Sequence, residues 1–367
     1  MGNVGSDRDL TILLPLRDRG LFTFRWMAYA NSIDFPFKVL LADGGADENV
    51  TAALSDKTTF SRVDYEYLRY PPDATYRDFY AKVDDALSRI RTPFVAMADN
   101  DDFLLVDCLR AAVEFLNGHP DYATCGGQCA RLWLSSPGGD GAALYGKHVE
   151  WKCSLDSRSS TADTARERLR ERSLRFMYPL YYHVQRTDEV TQRFRIVRDL
   201  NLTDLFLVEY LLGFLIAIAG KTRQLDALYL VRHVNAPGGS GGSHREMFGD
   251  WLGRMLVPSW SEDFDKFVDV TSAALADRDG MSRGAARHWV IDSYRMVIAP
   301  ALLADLMKGP RLPASVPPAA RVRRWAQSLR FTYRSSLRSV DRYLRTAEPS
   351  AAIHTRPISN ECRRQNS

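Results

Sequence analysis

Three short apolar runs in the first hundred residues each end abruptly in polar or glycine residues. The run LTILLPL is followed by Arg17–Arg19, FKVLLA by Asp43–Gly45, and FVAMA by Asp99–Asp102. Runs that are apolar at nearly every position are typical of parallel strands covered on both faces. We therefore predict three strands that each end in a polar turn.

Segments with helical spacing of apolar residues lie between these runs. Residues 77–90 and 106–118 show apolar positions every three to four residues, and Gly118 is a plausible stop for the second. Strands that alternate with helices predict an α/β fold with an open sheet. Because ligands bind beyond the carboxyl ends of the strands in such sheets, we expect the three polar turns to line one binding edge.

The second half of the chain is less regular. Its most apolar stretch is LFLVEYLLGFLIAIAG, which is shorter than the roughly 20 residues that a bilayer requires and contains Glu209. We interpret it as a buried helix within 199–221. We also predict a charged surface helix at 161–176 and a further helix at 287–309. Two strands are predicted at 177–187 and 222–233.

Strand signals stop near residue 250, which predicts a domain of residues 8–248 and a helical extension over 249–310. Residues 319–346 form a predicted basic amphipathic helix, and 347–367 a disordered tail. The apolar stripe of the basic helix either packs on the domain or lies on an anionic membrane surface with Arg321–Arg345 at the headgroups, and we favour the second.

Charge and cysteine content restrict the partners and the compartment. The 367 residues carry a formal net charge of +4, yet residues 321–345 hold eight arginines against one aspartate. One local basic element does not suit a nucleic-acid binder with a basic face throughout, so we expect no nucleic-acid partner. The five cysteines lack zinc-site spacing and favour a reducing compartment. We therefore expect a cytoplasmic protein, at the cytoplasmic face of the membrane if the basic helix binds there.

The turn after the third apolar run suggests metal chemistry. Asp99 and Asp101 are carboxylates two residues apart at a predicted strand end, and such oxygens are preferred ligands of Mg²⁺ or Mn²⁺. A cation held by few protein groups keeps open positions for phosphate oxygens. A solvated turn with Asp102 as a helix N-cap remains the alternative.

The order ILLPLRDR, LLADGG and TPFVAMADNDDF resembles the nucleotide-sugar glycosyltransferases of the GT-A fold, particularly those of family 2. The resemblance implies a Rossmann-like open mixed sheet with helices on both faces. It also implies a metal site at Asp99 and Asp101, and donor contacts from the ends of the predicted strands. Lys82 stands where the family often has a phosphate-facing Arg-Asn pair. The donor contacts that it implies are Pro15, Leu16, Arg17, Asp18, Arg19, Asp43, Gly44, Lys82, Asp99 and Asn100.

The resemblance extends to the apolar helix, where it implies that Glu209 is the catalytic base. A lone glutamate in an apolar helix is desolvated, which raises its pKa toward that of a useful general base. The second acid of the family motif is replaced by Tyr210, so Asp204 is the reserve candidate. A structural pairing of Glu209 with Arg186 is the alternative. The resemblance also makes His233 a third metal ligand, unless it is a core histidine.

Two further segments have expected roles in this scheme. The loop NAPGGSGGSH is a candidate lid that would bring His244 or Arg245 to the diphosphate, or else a plain linker. The strand predicted at 177–187 offers Tyr181, Tyr182, His183 and Arg186 to an acceptor sugar, although for most of them the packing of alternating aromatics in a half-buried strand is the favoured interpretation.

The resemblance implies a metal-dependent glycosyltransferase, and an inverting mechanism is expected from the resemblance alone. We expect a UDP-sugar as the donor and a glycan or lipid-linked hydroxyl as the acceptor. A catalytically inactive GT-A-like module that binds nucleotide or glycan is the main alternative. A sugar nucleotidyltransferase is the other, although it would need a glycine-rich loop after the first strand, where only Gly20 is present.

Overall fold

The computed structural model describes residues 7–135, 144–145, 148–154, 158–174, 180–236, 251–307, 340 and 342–344. Its strands are β1 Leu10–Leu16, β2 Lys38–Asp43, β3 Tyr65–Arg69, β4 Phe94–Met97, β5 Phe103–Leu104, β6 Tyr122–Ser135, β7 His148–Ser154, β8 Val184–Arg186 and β9 Lys221–His233. Its helices are α1 Gly20–Ser32, α2 Glu48–Ser55, α3 Tyr76–Arg89, α4 Val106–Gly118, α5 Ala165–Ser173, α6 Thr187–Leu200, α7 Leu205–Ala219, α8 Trp251–Met255, α9 Pro258–Asp279 and α10 Arg283–Met307, with a 3₁₀ turn at Leu180–Tyr182.

The strands form one mixed sheet in the order β3-β2-β1-β4-β8-β6-β9-β5, with β7 beside β6. Strands β1 to β4 run parallel to their neighbours within that group, whereas β8 is antiparallel to both β4 and β6. The predicted open α/β sheet is therefore confirmed. Because β1 lies between β2 and β4, the chain order reverses there, and such a switch point opens a crevice at the carboxyl ends of the strands.

Both faces of the sheet bury apolar side chains. Successive residues of a strand point to opposite faces, and the neighbours Leu230 and Val231 of β9 belong to two different apolar clusters. The larger cluster includes most of β1, β2 and β4. The smaller cluster contains Tyr29 of α1 and two residues from the end of the chain, Val340 and Leu344.

The predicted C-terminal extension is helical and shares the core of the sheet domain. The ring of Phe267 in α9 packs 5.4 Å from that of Phe214 in α7, and Tyr294 in α10 packs 5.6 Å from Tyr210. Residues 237–250, which contain the predicted domain boundary, lie outside the described part of the chain.

Several element boundaries differ from the sequence predictions. The buried helix begins at Leu205, because the side chain of Asp204 caps it there. The strand expected over 177–187 is a 3₁₀ turn followed by the short strand β8, and a hydrogen bond from His183 N to the Leu180 carbonyl closes the turn. Strands β3, β5, β6 and β7 and helices α1, α2 and α6 were not predicted from the sequence.

Only the last turn of the predicted basic helix is described. Val340 and Leu344, two members of its apolar stripe, are almost completely buried. The Tyr343 hydroxyl donates to the backbone carbonyl of Arg25 at 2.9 Å. This turn therefore packs on the domain, as the first of the two interpretations expected. The rest of the helix and the tail at 347–367 lie outside the described residues. Within the described part, no helix is both long and apolar enough to cross a membrane.

Candidate active site

The acidic turn that follows β4 brings three carboxylates together. Oxygens of Asp99, Asp101 and Asp102 all lie within 4.8 Å of one another. Asp102 is 2% exposed, and its Oδ1 accepts a hydrogen bond from His233 N at 3.0 Å. It does not cap a helix, because the N-cap of α4 is Leu105. The alternative of a solvated turn with Asp102 as a cap is therefore wrong.

The electrostatics of this carboxylate triad suit a cation. Burial raises the pKa of Asp99, and the charge of Asp101 adds to the effect. Burial also raises the pKa of Asp102 well above its ordinary value. Asp102 Oδ2 is buried and has no hydrogen-bond donor among the described residues. Hard oxygen ligands that lack enough donors fit Mg²⁺ or Mn²⁺ well, so the residues present fit the implied metal.

Two arginines lie against the triad. The Arg19 guanidinium donates to Asp101 Oδ2 at 2.8 Å. Arg232 lies 3.7 Å from Asp99 Oδ2 and 3.8 Å from Asp102 Oδ2. Arg19 follows β1 in a turn where both it and Asp18 have positive φ, 59° and 54°. Such backbone costs free energy for residues other than glycine, and strain of this kind clusters at functional sites.

Arg25 fixes the triad from the protein interior and was not identified from the sequence. It is fully buried, and its guanidinium donates to the Asp101 carbonyl at 2.6 Å. The rings of Phe22 and Phe103 lie 4.8 and 4.9 Å from its guanidinium carbon. Burial lowers its pKa to about 10, so it remains charged at neutral pH. Nothing in the sequence of α1 distinguished this arginine from a surface residue.

His233, the expected third metal ligand, is not among the three grouped residues. Its Nδ1 lies 3.3 Å from the Arg25 guanidinium. Burial and the charge of Arg25 lower its pKa to about 4, which keeps the imidazole neutral at pH 7. Its role as a ligand stays a prediction.

The residues expected to bind the nucleotide are only partly free to do so. Arg17 and Asp18 are exposed, Pro15 is half-buried, and Leu16 is buried. Asn100 is buried and donates to Thr23 Oγ1 at 3.1 Å, so it anchors the acidic turn to α1.

Asp43 lies at the end of β2 in a dense polar network. Its Oδ1 accepts from Gly45 N at 2.8 Å, and its Oδ2 accepts from Tyr67 at 2.7 Å and Arg69 at 3.2 Å. Gly44 beside it is tightly enclosed, since a Cβ there would lie 2.5 Å from the Asp73 carboxyl group. A side chain at residue 44 would displace that carboxylate.

Lys82 does not fit the expected phosphate-facing role. It is buried, pairs with Asp73, and donates to the Leu16 carbonyl at 2.7 Å. This buried pair instead ties α3 to the end of β1. Asp73 could not be identified as the partner from the sequence, because the two residues come together only through the turn before α3.

Glu209 remains a suitable candidate base. It is half-buried in α7 and makes no hydrogen bond or ion pair with the residues that the structure describes. Burial raises its pKa to about 7, with the charge of Arg232 opposing and that of Asp99 adding to the shift. The alternative pairing with Arg186 is wrong, because the Arg186 guanidinium donates to the carbonyls of Leu116 and His119.

Asp204, the reserve candidate, has both carboxylate oxygens occupied. Oδ1 accepts from the backbone N–H groups of Phe206 and Leu207 at 2.9 and 3.0 Å, and Oδ2 accepts from Arg254 Nε at 2.9 Å. It caps α7, which is a structural role.

Of the four side chains expected at the acceptor, two reach the site. The Tyr182 hydroxyl donates to Asp99, and the Tyr181 ring packs 4.3 Å from that of Tyr182. His183 is buried, and Arg186 caps the end of α4. His244, Arg245 and the candidate lid lie outside the described residues.

Comparison with protein-family models finds no match, and neither does comparison with curated proteins. Solved structures do resemble the chain, each at 14% identity. TarS 1–349 from S. aureus in complex with UDP matches with a TM-score of 0.44, over 83% of this chain and 94% of that one. The mannosyltransferase PcManGT from Pyrobaculum calidifontis, in complex with GDP-Man and Mn²⁺, matches with a TM-score of 0.41, over 94% and 87%. A longer TarS structure matches over 79% of this chain and 54% of its own length, with a TM-score of 0.40.

Proposed function

We propose that the chain is a metal-dependent glycosyltransferase that moves a sugar from a nucleotide-sugar donor to an acceptor hydroxyl. The observation that carries the proposal is the pairing of two features at one sheet edge. One is the carboxylate triad Asp99, Asp101 and Asp102. The other is Glu209, a carboxylate without a hydrogen bond or ion pair among the described residues, whose pKa is raised in part by the charge of Asp99.

The triad would hold the cation, and Arg19 and Arg232 would supply further positive charge to the donor diphosphate. When bound, a divalent cation stabilises the negative charge of a leaving diphosphate. Arg25 keeps the acidic turn in place through its bond to the Asp101 carbonyl. In this proposal, the guanidinium groups of Arg19 and Arg232 would lie beside the diphosphate, which gains negative charge as it leaves.

Glu209 would act on the other reactant. The acceptor oxygen bonds to the anomeric carbon while the bond from that carbon to the diphosphate oxygen breaks, and the acceptor proton passes to the Glu209 carboxylate. A carboxyl group whose pKa is about 7 is partly ionised at neutral pH and strong enough to take that proton as the bond forms. Attack from the side opposite the leaving group inverts the anomeric configuration.

The finer parts of the proposal are the family 2 type, a UDP-sugar donor and a glycan or lipid-linked acceptor at the cytoplasmic face of the membrane. The half-buried Tyr181 ring, which packs on Tyr182 beside the triad, supports a sugar-binding acceptor region, since aromatic side chains offer an apolar face with a polar tip.

The test is release of nucleoside diphosphate from a panel of UDP- and GDP-sugars with Mn²⁺, comparing the unmodified protein with Glu209→Gln and Asp101→Asn. The exposed helix-surface residue Glu114 provides the matched control, Glu114→Gln. We expect turnover with one donor, its loss in both site variants and its retention in the control. Nucleotide binding without turnover would favour the inactive module, and release of pyrophosphate from a nucleoside triphosphate with a sugar phosphate would favour the nucleotidyltransferase.

A further inference from the structure

Arg25 connects the acidic turn to the end of the chain. Its guanidinium donates to the Asp101 carbonyl at 2.6 Å, and its own backbone carbonyl accepts from the Tyr343 hydroxyl at 2.9 Å. Tyr343 lies 318 positions further along the chain. The residue that fixes the acidic turn is therefore itself held by the C-terminal turn, defined here as Val340 and residues 342–344.

Two residues between β6 and β7 take part in the same attachment. The Leu144 carbonyl accepts from the Arg25 guanidinium at 3.1 Å, and the Tyr145 hydroxyl lies 3.3 Å from that of Tyr343. Because the Tyr343 proton points to the Arg25 carbonyl, the Tyr145 hydroxyl is the donor in this second bond. Arg25 is thus held at its backbone and at its guanidinium by two segments that meet at Tyr343.

The C-terminal turn also packs against Phe103, the residue that directly follows the carboxylate triad. The Phe103 ring lies 6.4 Å from the Tyr343 ring and 4.9 Å from the Arg25 guanidinium carbon. Val340 and Leu344, which are 0% and 1% exposed, belong to the same apolar cluster as Phe103. One apolar cluster therefore contains both the residue after the triad and the C-terminal turn.

Exclusion of water from Arg25 gives these contacts their effect on the site. A hydrogen bond in a water-excluded interior is stronger than one exposed to water, and a buried charge depends on its partners. Arg25 is fully buried, with the C-terminal turn bonded to its backbone. If that turn left, water would reach Arg25 and Phe103, and the bond to the Asp101 carbonyl would weaken.

We propose that the C-terminal turn is a positioning element of the carboxylate triad, which acts through Arg25 and Phe103. When docked, it holds the acidic turn so that the triad is arranged for a divalent cation, and when released it lowers the affinity for that cation. The inference rests on the proposed function and adds a distant segment on which the cation site depends. The residues of this turn are positioning residues, since none of them belongs to the triad.

The experiment measures Mn²⁺ binding by the loss of the free-ion EPR signal, first alone and then with UDP or GDP, each against a protein-free mixture. Leu344→Ala removes a buried contact of the C-terminal turn, and Tyr343→Phe removes only the hydroxyl. Leu275→Ala is the matched control, because Leu275 is an equally buried leucine in α9 and belongs to the other apolar cluster. Thermal melting of each variant checks that it is folded.

We expect Leu344→Ala to raise the Kd for Mn²⁺ about five- to tenfold, within the usual range of coupling between sites. Tyr343→Phe should raise it by a smaller factor, and Leu275→Ala should lose stability without a change in this Kd.

An unchanged Kd in both variants of the turn, or an equal rise in Leu275→Ala, would overturn the inference and leave the proposed function intact. If Leu344→Ala does not fold, Tyr343→Phe decides alone, and an unchanged Kd in that variant overturns the inference. Absence of Mn²⁺ binding by the folded unmodified protein, with and without nucleotide, would overturn both the inference and the proposed function.

Discussion

Replacement of Glu209 by glutamine should make the protein more stable while it removes activity. Burial raises the pKa of Glu209 from 4.5 to about 7 in the folded chain. The folded state therefore binds this proton more tightly than the unfolded state. At a pH below the pKa of the unfolded chain, the carboxyl group does not lower the free energy of unfolding. Its cost grows as the pH rises from about 4.5 to about 7 and is constant above that range.

The size of the cost follows from the shift. At about 1.4 kcal/mol per pKa unit, the ionised group lowers the free energy of unfolding by about 3 kcal/mol at pH 8 and by less than about 1 kcal/mol at pH 5. Glutamine has nearly the same shape and no charge to bury. For a chain of 367 residues, a gain of about 3 kcal/mol corresponds to a rise in Tm of about 4 °C.

The assay is thermal unfolding of the unmodified protein, Glu209→Gln and Glu114→Gln at pH 5 and pH 8. The Glu209 variant should gain several degrees at pH 8 and little at pH 5, and the control should change at neither. A gain of equal size at both pH values, or a loss at pH 8, would refute the claim that Glu209 is an uncompensated buried carboxylate. In the active protein, the same group predicts that kcat/KM rises with pH through a value near 7.

Three structural predictions follow from pairs within the described chain. Lys82→Met should destabilise the fold by about 3–5 kcal/mol in denaturant titrations, because it leaves Asp73 buried without its partner. Adding Asp73→Leu should recover much of the lost stability, and no recovery would contradict the pairing. Tyr343→Phe keeps the ring contacts and loses the hydrogen bond to the Arg25 carbonyl, so we expect about 1 kcal/mol of destabilisation in the same titration. No change would show that the turn containing Tyr343 does not pack on α1. Asp204→Ala should cost at least about 2 kcal/mol, because it removes both the cap of α7 and the partner of a buried arginine, and a neutral result would argue against its structural role.

The sequence was informative where a local pattern determines the structure. The strands β1, β2 and β4 and the helices α3 and α4 were predicted within a residue or two, because uninterrupted apolar runs and helical spacing reflect burial directly. The acidic turn was singled out because its carboxylates directly follow a predicted buried strand, and metal binding there stays a proposal.

The features of the site that the sequence did not predict depend on contacts between distant parts of the chain. Arg25 reaches Asp101 across 76 positions of sequence, and the pairing of Lys82 with Asp73 depends on how one turn folds back. Neither partner has a sequence signal of its own. The role expected for Lys82 failed for this reason. Glu209 was singled out because a charge in an apolar helix is conspicuous, and its role as the base stays a prediction.

The central claim is that the acidic turn binds a nucleotide through a cation, and a thermal-shift panel tests it most directly. UDP, GDP, CMP and dTDP are each added with Mn²⁺ or with EDTA to the unmodified protein and to Asp101→Ala. A ligand at a hundredfold its Kd stabilises the fold by about 2.7 kcal/mol, which is well within detection. We expect one nucleotide to stabilise the unmodified protein with Mn²⁺ only, and the substitution to abolish the shift. Absence of any shift with all four nucleotides, or an equal shift in Asp101→Ala, would contradict it.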